Sequence, residues 1–210
     1  MKKLSKPLII IIAMLILLYS VWLYRDANAL VILGGYYGGA AVETLYIDLS
    51  ATADNSFIRC GSAAGLLYSS FEIANGSTAF QVSKIEIYAE KQETPTQNYE
   101  IIFYNLSGTE PGTTVTNGTS NQVAGSTFPA AASPDWVTFT YTEGSRPSIS
   151  ASTTYHYAIH MADGSSGANC VQVRFLDTGS GHINYSGDAA SWSEASNNCT
   201  MKVKIWGYAL

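Results

Sequence analysis

Charged residues are scarce in this chain of 210 residues. They make up 13% of the sequence, against about 25% in an average soluble protein. Aromatic residues reach 12%, and this combination is the opposite of the composition of disordered segments. Beyond the first thirty residues no stretch keeps a 3.6-residue hydrophobic period, so a coiled coil or a helical bundle is excluded as well.

Cysteine is almost absent. The chain contains Cys60, Cys170 and Cys199, with no Cys-x-x-Cys pair, and their spacings match no zinc-binding pattern. In an oxidising compartment two of the three can pair. We predict one disulfide, for which Cys170 with Cys199 closes the shorter loop, although the sequence leaves the connectivity open.

Catalytic patterns are missing too. The histidines are His156, His160 and His182, and there is no Gly-x-Ser-x-Gly motif. His156 and His160 are four positions apart on a predicted strand, which separates them by about 13 Å, too far to share a metal ion. A Ser-His-Asp triad has no positioned parts here. We therefore expect a protein that is not an enzyme and needs no cofactor.

The N-terminus has the organisation of an export signal. Lys2, Lys3 and Lys6 precede an uncharged apolar run over residues 8–24, and Ala27-Asn28-Ala29 follows. This order is typical of a secretory signal peptide, but the run is also close to the length of a membrane span. We expect residues 1–29 to be a cleaved signal peptide or a retained N-terminal anchor. Either one places the rest of the chain outside the cell or on its surface, with membrane contact only through an uncleaved segment.

The exported part is acidic. Without residues 1–29 the chain has 7 basic and 15 acidic residues, a net charge of −8. Such a surface repels phosphate backbones and anionic lipid. The sequence shows no basic patch, because only Lys202 and Lys204 fall close together. Nucleic acid is therefore not an expected partner.

From Glu43 onward the hydrophobic pattern has a period of two, which predicts strands. Turn signals separate these segments, for example at Asn75-Gly76-Ser77 and at Asp177-Thr178-Gly179. We predict eight to ten strands in residues 43–210, packed as two antiparallel sheets in a jelly-roll-type sandwich, because the chain is too long for one immunoglobulin-like domain. The clearest alternating segments are 45–49, 85–90, 137–141, 155–161, 171–175 and 201–206.

Two segments have a different composition. Residues 30–42 join the apolar Leu30–Leu33 to glycines and tyrosines; they are the first strand, a spacer, or a donor strand that completes the next subunit by β-augmentation. Residues 107–134 are rich in Gly, Ser, Thr and Pro. We expect them to form a surface connection with one short strand near Val123.

A family resemblance extends over about residues 66–208. The segments that carry it are Ser70-Phe71-Glu72-Ile73, Val82–Tyr88, Pro111-Gly112-Thr113-Thr114, Trp136–Phe139, Ser152–Tyr157 and Lys204-Ile205-Trp206-Gly207-Tyr208. This order resembles the choice-of-anchor type of extracellular β-sandwich of prokaryotic surface proteins and phage-associated modules. The resemblance implies a noncatalytic module and names no ligand. That family usually continues into a C-terminal anchor, whereas this sequence ends on its last predicted strand.

Aromatic residues are the best candidates for ligand contact. Sugars present apolar C–H faces that flat rings can cover while a polar edge stays in water. Trp206 and Tyr208 share a predicted strand face with Lys202 and Lys204, and the same rings can instead simply cover the sheet. The candidate ligand-binding residues are Trp136, Tyr185, Trp192, Trp206 and Tyr208.

Turn residues offer weaker candidates. Asp163, Asp177 and Asp188 lie in Gly/Ser turns and could bind Ca²⁺, although acidic residues in turns usually serve the turn itself. Five Asn-x-Ser/Thr sequons are candidate glycosylation sites where the host glycosylates. They are Asn75, Asn105, Asn117, Asn184 and Asn198.

These observations predict an exported surface module that binds or adheres to a polysaccharide or surface glycan. The alternative is a structural subunit that self-associates into a filament, layer or virion-like particle through residues 30–42.

Overall fold

The computed structural model describes residues 41–53, 56–60, 67–163 and 169–210. These residues contain 13 strands, with one 3₁₀ turn at Gly125–Thr127 as the single helical element among them. Among the described residues no helix could serve as a membrane span. The predictions for residues 1–29, and for 30–40 of the glycine-rich segment, lie outside the described residues.

The sequence predicted eight to ten strands. The additional strands among the 13 observed in the described residues are short or polar. The 13 strands are β1 (Thr44–Asp48), β2 (Ser56–Cys60), β3 (Tyr68–Ala74), β4 (Phe80–Gln92), β5 (Asn98–Ser107), β6 (Glu110–Thr119), β7 (Val123–Ala124), β8 (Asp135–Thr140), β9 (Ser148–Ile149), β10 (Thr154–Met161), β11 (Cys170–Ser186), β12 (Ser193–Met201) and β13 (Val203–Ala209).

One group of strands is organised around β4. Its residue Ile85 pairs with Ile205 of β13 and with Phe139 of β8, so these strands lie on opposite sides of β4. β1 pairs with the free side of β13. Every pairing is antiparallel, and the three named side chains are almost completely buried. The predicted alternation on these strands is therefore confirmed, because one face of the group packs into the core.

A second group runs β11-β3-β10-β5-β6. Tyr157 of β10 lies between Phe71 of β3 and Phe103 of β5, and all three rings are inaccessible to solvent. This central position explains why β10 is largely buried on both faces, with an apolar face that carries Tyr155, Tyr157 and Ile159 and a second face that carries the buried His156 and Ala158.

β11 belongs to both groups. Its first residues, from Cys170 to Val173, pair with β4, whereas Ile183–Ser186 pair with β3. Pairing with β12 changes register between Leu176 and Gly181. The turn predicted at residues 177–179 is wrong, because β11 continues through these residues. The irregular register is what lets one strand pass from the first group to the second.

One hydrophobic core joins the two groups, and residues 43–210 form one compact unit around it. Ring contacts cross the core between Phe128 and Phe139, with centroids 6.2 Å apart, and between Phe103 and Tyr141, at 6.1 Å. Burial of these apolar side chains is the main force that holds the fold together.

Residues 107–134 are more regular than the sequence predicted. β6 occupies ten of these residues and pairs with β5, while the expected short strand at Val123 is present as β7. Composition concealed β6 because its threonines are exposed and Gly112 is half-buried at the end of the strand order, where polar residues and proline are tolerated.

The predicted disulfide between Cys170 and Cys199 is wrong. Cys170 lies opposite Gln92 at the start of β11, whereas Cys199 lies opposite Gly181, eleven positions further along that strand. A disulfide needs Cα atoms within roughly 7 Å. Cys199 is a buried free thiol that donates to the Gly181 carbonyl at 3.0 Å, and burial raises its pKa to about 12.

Candidate functional site

The outer side of the β4 group carries a regular set of large side chains. Along β13, Val203 and Ile205 face the core, so Lys204, Trp206 and Tyr208 face outward and are half-buried. This arrangement follows directly from the alternation of side chains along a strand. The sequence-based expectation that Trp206 and Tyr208 share a face with the lysines agrees with these positions.

Ammonium groups lie over three of the outward rings. The Nζ atoms of Lys204, Lys84 and Lys202 are 4.0, 4.5 and 4.1 Å from the ring centroids of Trp136, Trp206 and Tyr88, respectively. These are cation–π distances. We call this surface the aromatic–lysine face, and it consists of Lys84, Tyr88, Trp136, Lys202, Lys204 and Trp206.

Acidic groups hold the face in place. Glu86 accepts a hydrogen bond of 2.7 Å from Nε1 of Trp206, and Glu43 forms an ion pair with Lys84 at 3.0 Å. The pKa of Glu43 is lowered, first by the hydrogen bond from Ser83 and then by Lys84. Lys84 and the indole of Trp206 are therefore oriented before any ligand arrives.

A polar cleft lies beside this face. Its volume is about 610 Å³. Among the described residues the lining consists of amide, hydroxyl and small side chains together with one charged residue, Arg146. The lining residues are Gln81, Asn105, Thr113, Thr114, Val115, Thr116, Asn117, Gly144, Arg146, Ser148, Ser150 and Tyr155.

Arg146 links the cleft to the face. Its guanidinium carbon is 4.4 Å from the ring centroid of Tyr208, and Tyr208 pairs with Gln81, which lines the cleft. The Nε atom of Arg146 is buried and has no hydrogen-bond partner among the described residues. A buried donor without a partner is costly, so Arg146 lines the cleft with part of its hydrogen-bonding capacity unused.

The five predicted aromatic residues do not form one site. Trp136, Trp206 and Tyr208 lie on or beside the aromatic–lysine face, as described above. Trp192 lies on the outer side of the second group, where its ring contacts Tyr68 and Tyr104 with centroids 6.0 and 5.6 Å away.

Trp192 and Tyr185 have local surroundings of their own. The loop before Trp192 is held by Asp188, which accepts hydrogen bonds from the backbone of Ala190 and Ser191. Tyr185 is half-buried on β11, opposite Ser193. Both residues are therefore separate from the cleft.

The histidines occupy different environments on the second group. His160 Nδ1 is 2.9 Å from Glu100, and His182 Nδ1 is 2.7 Å from Glu194. His156 is completely buried. Within the described ranges there is no cluster of three or more His, Cys, Asp or Glu side chains that could hold a metal ion.

The candidate calcium ligands are dispersed over separate segments. Asp163 accepts a hydrogen bond from the backbone of Asn98, Asp188 caps its own loop, and Asp177 contacts the hydroxyl of Ser196 on β12. Asp188 therefore has the turn role that the sequence allowed as the alternative to calcium binding, whereas Asp163 and Asp177 accept hydrogen bonds from more distant segments.

The sequons also differ in accessibility. Asn184 is completely buried and Asn75 almost so, with 9% of its surface exposed, so neither can carry a glycan in the folded chain. Asn198 is exposed, and Asn105 and Asn117 are exposed at the cleft. A glycan on either cleft residue would fill the cleft itself.

Sequence reasoning missed three parts of this surface. Lys84 and Tyr88 alternate with buried residues of β4, so their outward direction was available from the pattern, but their position beside β13 was not. Arg146 lies in the segment between β8 and β9, and nothing in its neighbouring sequence indicates a cleft.

Comparison with known proteins does not assign the chain to a family. No model of a known protein family matches the chain, and no curated protein is significantly similar to it.

Proposed function

We propose that the protein is an exported, noncatalytic surface module that binds carbohydrate through the aromatic–lysine face and the adjoining cleft. The observation that carries this proposal is the continuity of outward tryptophan rings with a cleft lined by amides and hydroxyls. Rings cover the apolar faces of sugars, and amides and hydroxyls exchange hydrogen bonds with sugar hydroxyls.

We also propose the location of the protein and its type of fold. Export rests on the signal-like residues 1–29, and a jelly-roll-type sandwich fits two strand groups that share one core. The resemblance to choice-of-anchor domains suggests a place on a cell or virion surface. In that setting the ligand is a polysaccharide or a surface glycan.

Replacement of one ring tests the proposal. We expect Trp206→Ala to lower the affinity of the purified protein for an insoluble polysaccharide about fivefold, because the ring supplies stacking area worth on the order of 1 kcal/mol. Co-sedimentation with a panel of insoluble polysaccharides measures this binding. Trp192→Ala is the matched control, since it removes an equal ring from the other strand group. Equal retention of Trp206→Ala and the unmodified protein would contradict the proposal.

Self-assembly is the second candidate function. β6 ends the strand order of the second group, and such an edge can accept a further strand from another copy. Light scattering on the unbound fraction separates the two functions. Growth into polymers without retention on any polysaccharide would favour the structural subunit.

A further inference from the structure

The positive charge of the described residues is concentrated around the candidate site. Beyond residue 29 the sequence holds seven basic residues against 15 acidic ones. Four of the seven surround the face and the cleft, and these are Lys84, Arg146, Lys202 and Lys204. The acids beside them are Glu43, Asp48 and Glu86. In a strongly acidic chain, this concentration indicates that the surface meets negative charge.

The cleft itself is suited to a carboxylate. None of its described lining residues is acidic, and Arg146 offers a planar fork of N–H donors with its buried Nε still unpaired. The nearby acid Glu43 is already engaged, because it accepts from Ser83 at 2.6 Å and pairs with Lys84 at 3.0 Å. Arg146 is therefore available for two parallel hydrogen bonds to a ligand carboxylate.

The lysines of the face repeat along a line. Lys202 and Lys204 are two positions apart, which spaces them by about 7 Å along the same side of the sheet. Lys204 lies opposite Glu86, next to Lys84 on the neighbouring β4. A ligand that alternates flat apolar rings with carboxylates would meet an aromatic ring and a cation at each step.

We infer that the site selects an acidic polysaccharide, a polymer of uronic acids, with Arg146 binding a carboxylate in the cleft and the lysines of the face binding the following ones. This inference rests on the proposed carbohydrate function and narrows its ligand class. Because Trp136 and Trp206 provide stacking surfaces, the ligand is recognised as a sugar and not as charge alone.

A pair of matched polymers tests the inference. The probes are polygalacturonate and the same polymer after reduction of its carboxyl groups to primary alcohols, with polyglutamate as a carboxylate polymer that has no sugar rings. By isothermal titration calorimetry, we expect binding to polygalacturonate at least tenfold tighter than to the reduced polymer or to polyglutamate. The affinity should fall as salt is raised, because screening weakens exposed charge pairs.

Variants locate the effect in the cleft. We expect Arg146→Gln to lower the affinity for polygalacturonate at least tenfold, and Arg146→Lys to restore only part of it, because lysine keeps the charge but not the fork. Lys91→Gln removes the same charge at a distance from the face, where Lys91 donates to the Ser126 carbonyl, and should leave binding unchanged. Thermal melting of each variant verifies that it is folded.

The outcomes separate the inference from the function on which it rests. Equal binding of the native and reduced polymers would overturn the acidic ligand and leave carbohydrate binding intact. Binding of polyglutamate as tightly as polygalacturonate would overturn sugar recognition. Binding to none of the polymers, with neutral polysaccharides also failing, would overturn both. A folded Arg146→Gln variant that binds like the unmodified protein would remove Arg146 from the site.

Discussion

His156 is completely buried on β10, and neither ring nitrogen makes a well-formed hydrogen bond to a described residue. Burial lowers its pKa to about 4, the charge of His182 acts in the same direction, and the backbone of Thr109 opposes the shift. The fold therefore requires the neutral imidazole at this position.

This burial makes stability depend on pH. An unfolded histidine has a pKa of about 6.5, so between pH 6.5 and 4 the unfolded chain binds a proton that the folded chain does not. Stability is complete above pH 6.5 and falls as pH drops toward 4, by up to about 3 kcal/mol. We expect His156→Phe to flatten this slope, as measured by urea unfolding at pH 7 and 4.5.

The carboxylates set the lower pH limit for comparing the stability of the two proteins. The pKa values of Glu43 and Asp48 are lowered, mainly by hydrogen bonds from Ser83 and Ser50. The stability that these two carboxylates contribute to the folded state is lost only as pH falls below the ordinary carboxyl range. An unchanged slope in a folded His156→Phe variant above pH 4.5 would contradict the assignment to His156.

At the scale of the element, β13 can form the candidate site only if it stays close to β4. A Cβ atom on Gly207 would overlap the Gln81 carbonyl oxygen and come within 2.7 Å of the Phe80 ring. The register between the two strands also shifts at Trp206 and Gly207. Glycine at this position therefore lets Trp206 and Tyr208 both face outward beside a closely packed partner strand.

Gly207→Ala should consequently destabilise the protein by roughly 1–3 kcal/mol, because the added methyl group has no space without a shift of β4. Chemical denaturation measures the change in the unfolding midpoint. Gly76→Ala is the control, since nothing lies within 4 Å of the added atom there. Similar midpoints for the two variants would show that β13 and β4 are not so closely packed.

At the scale of the whole molecule, the two strand groups depend on each other. β11 pairs with β4 and with β3, and side chains of both groups belong to one core. Neither group can expose its inner face without disrupting the other, so cooperative unfolding is expected.

The check is a comparison of two probes. We expect far-ultraviolet circular dichroism and tryptophan fluorescence to report the same urea midpoint, because Trp192 lies on one group and Trp136 and Trp206 on the other. Two resolved transitions would show that the groups unfold independently.

The sequence alone predicted an all-β chain with antiparallel strands, because alternation is a local property. Residues such as Ile85, Ile87 and Ile205 show it within a few positions, whatever their partners are. The same pattern predicted that Trp206 faces away from the core. It could not predict β6, whose exposed threonines have no apolar side to mark them.

Only the tertiary structure decided which residues meet. The sequence did not show that Trp192 and Tyr185 lie away from the other candidate rings, and the pairing of Cys170 with Cys199 was wrong, because both depend on contacts between distant segments. Lys84, Arg146 and Lys204 come from three separate segments, and the tertiary structure places all of them beside outward-facing aromatic rings. Local alternation determines the direction of each side chain. Register and strand order determine which side chains lie next to one another, and a binding site depends on those contacts.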